Sequence, residues 1–221
     1  MTWRPRAPGA GESGTDSAKK KAQAGQCILL SQDEARFPLV PTLRTTLGVK
    51  GHRPQVGTWD NKDIVYSFAA MNVVTGQLTT RLLESPKDAK KKTGKSKTAR
   101  LQHPFVEHLR DIARTYPATL GKPVIIVIDN APWHRSQALS QVLAEHPHLQ
   151  LYRLPSYSPQ LNLIERLWKI LRRRATHNRL FETMAELRAA LRASFSYYHK
   201  MRHKILSLIE RPKKDAKLCA A

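Results

Sequence analysis

A chain of 221 residues, 41% of them hydrophobic, is long enough for one globular domain with a sizeable core. Its 38 Lys and Arg against 17 Asp and Glu give a formal net charge of +21, which points to a polyanionic partner, nucleic acid before an acidic membrane surface. Two distant cysteines, Cys27 and Cys219, speak against a disulfide framework or zinc ribbon, and the longest fully apolar run, Val124 to Ile128, is far too short to span a bilayer.

No apolar stretch follows Arg4 and Arg6 to make a secretory signal, so a reducing cytoplasm, with nucleoid association and no membrane partner, is expected. Residues 1 to about 25 are rich in Gly, Ala, Ser and Lys; they read as a flexible basic tail or remnant linker, with at most a short helix around Lys19 to Ala24. Structure begins at Cys27-Ile28-Leu29-Leu30, a short apolar run typical of a buried strand that ends at Ser31-Gln32-Asp33. Residues 37 to 63 read as loop, with one strand allowed for. Two strands follow, Ile64 to Asn72 and Gln77 to Glu84, joined by a hairpin turn at Val74-Thr75-Gly76. Residues 85 to 100 hold seven Lys or Arg against one Asp and read as a solvated basic loop. Apolar Phe105, Leu109 and Ile112 predict a helix from about Gln102 to Thr115.

Val124 to Ile128 is the clearest buried strand and ends at Asp129-Asn130. A helix from Ser136 to Glu145 and a strand from Leu149 to Leu154 come next. Ser158 as N-cap and Pro159 at the first helical position open a helix expected to reach Thr176. Further helices are expected at Thr183 to His199 and Lys204 to Glu210. This order indicates an α/β layered domain with a mixed sheet over residues 26–200, followed by a basic C-terminal helix or tail at 201–221.

The chemistry rests on acids. Asp33 and Asp129 each follow an apolar strand, where open α/β sheets gather ligands, although either could simply cap the next turn. Glu165 sits on or beside the stripe Leu161, Ile164, Leu167, Trp168 and Leu171; a carboxylate there is costly unless paired or metal-bound, and an ion pair with Lys169 is the bland alternative. Three converging carboxylates would make an oxygen-only site suited to Mg²⁺ or Mn²⁺ and to two-metal phosphoryl transfer. Nine histidines raise zinc as the other metal, but none pairs with a Cys in a familiar spacing.

Asp33-Glu34, Asp129-Asn130-Ala131-Pro132-Trp133-His134 and the run Tyr157-Ser158-Pro159-Gln160-Leu161-Asn162-Leu163-Ile164-Glu165-Arg166-Leu167-Trp168 together resemble mariner-type bacterial insertion-sequence transposases. Thirty-five residues separate Asp129 from Glu165, matching that family's close spacing of its second and third acids. Gly48 to Pro54 and the hairpin Ala69 to Gly76 look similar too, although Leu163 stands where many relatives have Pro and the aromatic often found near Val49 is absent. The resemblance covers about residues 27 to 200. It implies an RNase H-like fold with a mixed central sheet flanked by helices, and Asp33, Asp129 and Glu165 as a metal-binding DDE triad holding two Mg²⁺ ions, with Mn²⁺ as a substitute. It also places Asn130, His134 and Asn162 beside the acids, in supporting or DNA-positioning roles; read as residues, the first could be a turn residue, the second a helix cap and the third merely exposed. Trp133 and Trp168 read as core.

Downstream of Glu165, residues 166 to 221 carry fifteen Lys or Arg against four acids. Lys169, Arg172, Arg173 and Arg174 are therefore candidate phosphate contacts, as are Lys95 and Lys97 of the basic loop, unless they line a solvated face. The implied partner is double-stranded DNA, both element ends and target, bound by a homodimer. Full-length relatives usually carry helix-turn-helix modules that nothing in residues 1 to 26 could form, so a truncated or split-gene product, served by a separate recognition polypeptide, is expected. The alternatives are an RNase H-like nuclease without strand transfer and a catalytically silent basic DNA-binding protein.

Overall fold

The computed structural model describes residues 14–47, 49–52, 54–85, 94, 96–155 and 161–210. Five strands form one mixed sheet: β1 (Ile28–Pro38), β2 (Ile64–Asn72), β3 (Leu78–Ser85), β4 (Val124–Ile128) and β5 (Leu149–Arg153), in the order β3-β2-β1-β4-β5. The first three run antiparallel as a meander, while β4 and β5 extend the other edge of β1 in parallel. Helix α1 (Gly14–Gln23) precedes the sheet, and α2 (Lys97–Thr115) lies between β3 and β4. Helix α3 (Gln137–Glu145) follows β4, and α4 (Ile164–Ala175), α5 (Met184–Lys200) and α6 (Arg202–Glu210) come after β5.

The two-residue period of the strands sorts their side chains into two cores. Leu30, Phe68, Ala70, Ile126 and Ile128 face α2 and α3, meeting Phe105, Leu109, Ile112 and Val142. Ala35, Phe37, Val65, Ala69 and Met71 face the opposite way onto Leu167, Trp168, Leu171, Leu187 and Leu191 of α4 and α5. Each such large apolar side chain, fully buried, is worth roughly 1.5–3 kcal/mol. Both faces are covered, which is why β2 is buried along nearly its whole length.

The elements differ from the sequence expectation in three places. β1 runs to Pro38, so Asp33 lies inside the strand; its parallel ladder to β4 stops at Ser31, but antiparallel pairing with β2 continues through Asp33↔Ala69 to Pro38↔Ile64. α2 starts at Lys97, where the Ser96 side chain caps it by accepting from the Ala99 N–H, and it runs unbroken through Pro104. α4 begins at Ile164, and Leu161 to Leu163 are not α-helical. The expected start at Ser158 and Pro159 lies outside the described residues, as do Gly48, Arg53, Lys95, the basic stretch 86–93 and the two chain ends. The expected short helix near Lys19 is the ten-residue α1, whose Ala18 and Ala22 pack on Cys27, Leu29 and Val127. Among the described residues no helix is long and apolar enough to cross a membrane.

Candidate active site

The β1–β4 ladder last pairs Ser31 with Val127, and Asp33 and Asp129 each follow two residues beyond that step. Asp33 pairs with Ala69 across β1 and β2, and Ala69 belongs to the core that α4 covers, so the Asp33 carboxylate starts from that side of the sheet. Helix α4 brings the third acid: Glu165 lies in its first turn, and one turn later Trp168 Nε1 donates to Asp33 Oδ2 at 3.0 Å. Trp168 is core, as expected, yet its indole N–H serves the site. Burial pushes the Asp33 carboxyl up to about 8, helped by the Glu34 carboxylate and by Glu165, against hydrogen bonds from the Glu34 backbone and Trp168. Crowded acids without enough donors create a demand for positive charge.

Asp129 has a different environment. Its side chain is half exposed, and the His134 ring, 3.1 Å from Oδ1, holds its carboxyl below the usual range against the opposing pull of burial. The Ala131 N–H adds a 2.9 Å bond. His134 closes the 3₁₀ turn Pro132–His134, fully buried with its ring against Phe105 at 4.2 Å. Its Nε2 faces Glu34 Oε1 at 3.0 Å. Burial works to discharge the ring, but the carboxylates of Asp129 and Glu34 prevail and carry it up to about 9. His134 is therefore an imidazolium strapped between two acids at neutral pH.

Glu34, Asp129 and His134 offer ligand atoms that all lie within 4.8 Å of one another. The sequence named Glu34 only as the neighbour of Asp33 in the motif that carries the resemblance, and gave it no role of its own. Both nitrogens of His134 already meet oxygen, so the cluster as it stands is an internal ion-pair bridge.

Asn130 donates from Nδ2 to Leu154 O at 2.7 Å, tying the segment after β4 to the end of β5. Asn162 is buried against β1, donating to Gln32 O at 3.0 Å, so the merely exposed alternative does not hold. Nor does Glu165 pair with Lys169: among the described residues no cation lies within 4 Å of it. Lys169, Arg173 and Arg174 are exposed along α4, with Arg174 stacked 3.7 Å over the Tyr197 ring, and Arg172 lies over Phe37 at 5.4 Å. Lys97 reaches over Trp133 at 5.1 Å, next to His134.

A family profile described as DDE superfamily endonuclease matches residues 28–188, the span holding every acid named above. The chain belongs to this endonuclease family. Among curated relatives, an uncharacterized 39 kDa protein of insertion element IS630 from Shigella sonnei is 26% identical over 156 residues, covering 71% of this chain and 41% of that protein. An uncharacterized Sinorhizobium fredii protein, y4pE/y4sA, is 32% identical over 76 residues, 34% of this chain and 52% of that one. The DDE chain thus spans about half the length of these relatives, or less. Among solved structures, the Mos1 mariner paired-end complex with Mn superposes with TM-score 0.59 at 17% identity, over 95% of this chain and 65% of that one. The isolated catalytic domain of Mos1 mariner transposase gives 0.54 at 17% identity, over 87% and 84%. The resemblance to mariner-type insertion-sequence transposases is borne out, as is the RNase H-like fold of a mixed sheet flanked by helices.

Proposed function

We propose that this chain is the catalytic domain of an insertion-sequence DNA transposase, hydrolysing phosphodiesters at element ends and transferring the freed 3′-hydroxyls to target DNA. One observation supports the reading above the rest: Trp168 ties buried Asp33 to the helix whose first turn bears Glu165, and that second carboxylate is close enough to raise the Asp33 carboxyl. The residues fit a divalent ion. Asp33, buried among like charges with its carboxyl pushed up to about 8, is an acid that a cation would relieve, and an all-oxygen donor set suits Mg²⁺ or Mn²⁺. Asp33, Asp129 and Glu165 would hold two such ions, which when bound supply the Lewis acidity that activates an attacking oxygen and stabilises the departing one.

The chain's own groups do the rest. His134 holds the Asp129 carboxylate in one orientation and shares its charge with Glu34, keeping that acid from competing as a free anion. Arg172, Arg173, Arg174 and Lys169 would neutralise phosphates of double-stranded DNA along α4, and Lys97 would do so beside the 132–134 turn. Binding as a homodimer on paired ends belongs to the same proposal.

The test is Mg²⁺- or Mn²⁺-dependent nicking and strand transfer on a labelled duplex, comparing wild type with Asp129→Ala. Metal-dependent nicked and joined products, lost at least about a thousandfold in the variant, are the expected result. Nicks without joining would instead indicate an RNase H-like nuclease. Equal DNA binding by both proteins without cleavage would refute the catalytic reading for this chain alone.

A further inference from the structure

Helix α4 has no side-chain cap of its own: the Glu165 and Arg166 N–H groups donate back to Asn162 O and Leu163 O at 3.2 Å, which leaves the Ile164 N–H to be met. Leu163, the residue before it, has no side-chain acceptor, and a buried first-turn N–H left unpaired costs about 1–3 kcal/mol. The acceptor arrives from another element. Ser31 Oγ, on β1, accepts from the Ile164 N–H at 3.1 Å. The same hydroxyl donates to Asn162 Oδ1 in a very close contact, and Asn162 Nδ2 donates to Gln32 O at 3.0 Å. Ser31, Gln32 and Asn162 are all buried, so no water competes for these groups. The hydroxyl has one proton, and giving it to Asn162 leaves its lone pair for the helix.

The positions matter more than the bonds. Ser31 stands two residues before Asp33 on the same face of β1, and Ile164 immediately precedes Glu165. We infer that Ser31, working with Asn162, is a positioning residue: it caps α4 from the sheet and thereby sets the Glu165 carboxylate against Asp33. This rests on the reading of Asp33 and Glu165 as metal ligands. The Trp168–Asp33 bond lies one turn further along and does not restrain the first turn, where helices fray. Without Ser31 the Ile164 N–H loses its acceptor at the start of the turn that carries Glu165, while Trp168 stays in place. Neither Ser31 nor Asn162 meets the reacting atoms; both act through Glu165.

The experiment titrates the metal-free full chain with Mn²⁺, following free ion by electron paramagnetic resonance, with amide exchange at Ile164 and Glu165 measured alongside. Ser31→Ala and Asn162→Ala are each expected to weaken Mn²⁺ binding about tenfold and to speed exchange at those amides. Ser31→Thr, which keeps the hydroxyl, is expected to restore both. Faster exchange with wild-type Mn²⁺ affinity would overturn the inference, leaving the cap a purely structural device. Glu165→Gln runs in parallel: if it also binds Mn²⁺ like wild type, the ligand assignment itself fails and the inference goes with it. If Ser31→Ala does not fold, Asn162→Ala, placed outside the strand, decides the matter by the same readings.

Discussion

His108 is buried on α2 beside Phe68, with no hydrogen-bond partner at either ring nitrogen. Burial drives its pKa down to about 3; Asp111 resists this and Arg81 reinforces it. The sign follows from linkage. The unfolded chain takes up a proton near the ordinary histidine value and the folded chain does not, so stability is intact above about pH 6.5 and is lost as pH falls towards 3. At pH 5 the loss from this one group is about 2 kcal/mol. His108→Leu, similar in size and without polar atoms, is expected to abolish that part of the acid sensitivity. Thermal melts at pH 7.5 and pH 5 check this: the gap between variant and wild type should widen at pH 5, and an unchanged gap would show that His108 becomes protonated in the folded chain. The contrast with His134 is instructive. Both rings are fully buried, but one lies between two carboxylates and stays charged, while the other, beside Phe68, has no hydrogen-bond partner at either nitrogen and stays neutral.

At the scale of elements, the β2–β3 hairpin depends on Gly76. Its φ of +68° lies in the left-handed region, and a Cβ there would meet Arg202 O at 3.0 Å and the Arg202 Cβ at 3.3 Å. The turn is thus shaped both by Asn72, whose side chain accepts from Val74 and Thr75, and by the close approach of α6. Gly76→Ala is expected to cost about 1–3 kcal/mol, seen as a melting temperature lower by roughly 2–12 °C; a change below a degree would mean that α6 yields without cost. This turn was legible in the sequence, and so were β2 and β4, because their apolar runs end at turn chemistry that is local. The far half of β1 was not: the polar run Ser31-Gln32-Asp33 looks like the strand's end, and only pairing with β2 carries it on to Pro38. The start of α4 was hidden for the same kind of reason, since its cap comes from Ser31 in a distant segment. The site divides likewise. Asp129 announces itself at the end of an apolar strand, whereas Glu34 gains meaning only when the turn after β4 carries His134 onto it.

For the whole molecule the decisive quantity is unbalanced charge, and its placement on the surface. The acids that do find cations sit largely around α2, where Arg81, Arg110 and Arg114 meet Glu107 and Asp111. The exposed cations of α4 have no such partners among the described residues, although Arg174 is held in place by the Tyr197 ring, whose hydroxyl in turn accepts from Lys204. A face of this kind binds phosphates by releasing condensed counterions, so the logarithm of affinity should fall linearly with the logarithm of salt concentration, by about 0.9 for each phosphate neutralised. Removing two cations by Arg173→Gln and Arg174→Gln should flatten that slope by about one unit each, and should weaken binding alike on unrelated duplexes, because such contacts read no bases. Fluorescence anisotropy of a labelled duplex across a salt series measures both. A flattened slope with equal losses on every sequence would place the DNA along α4, within reach of Glu165. An unchanged slope would move the phosphates off this helix, and Lys97 beside the 132–134 turn would become the next position to neutralise.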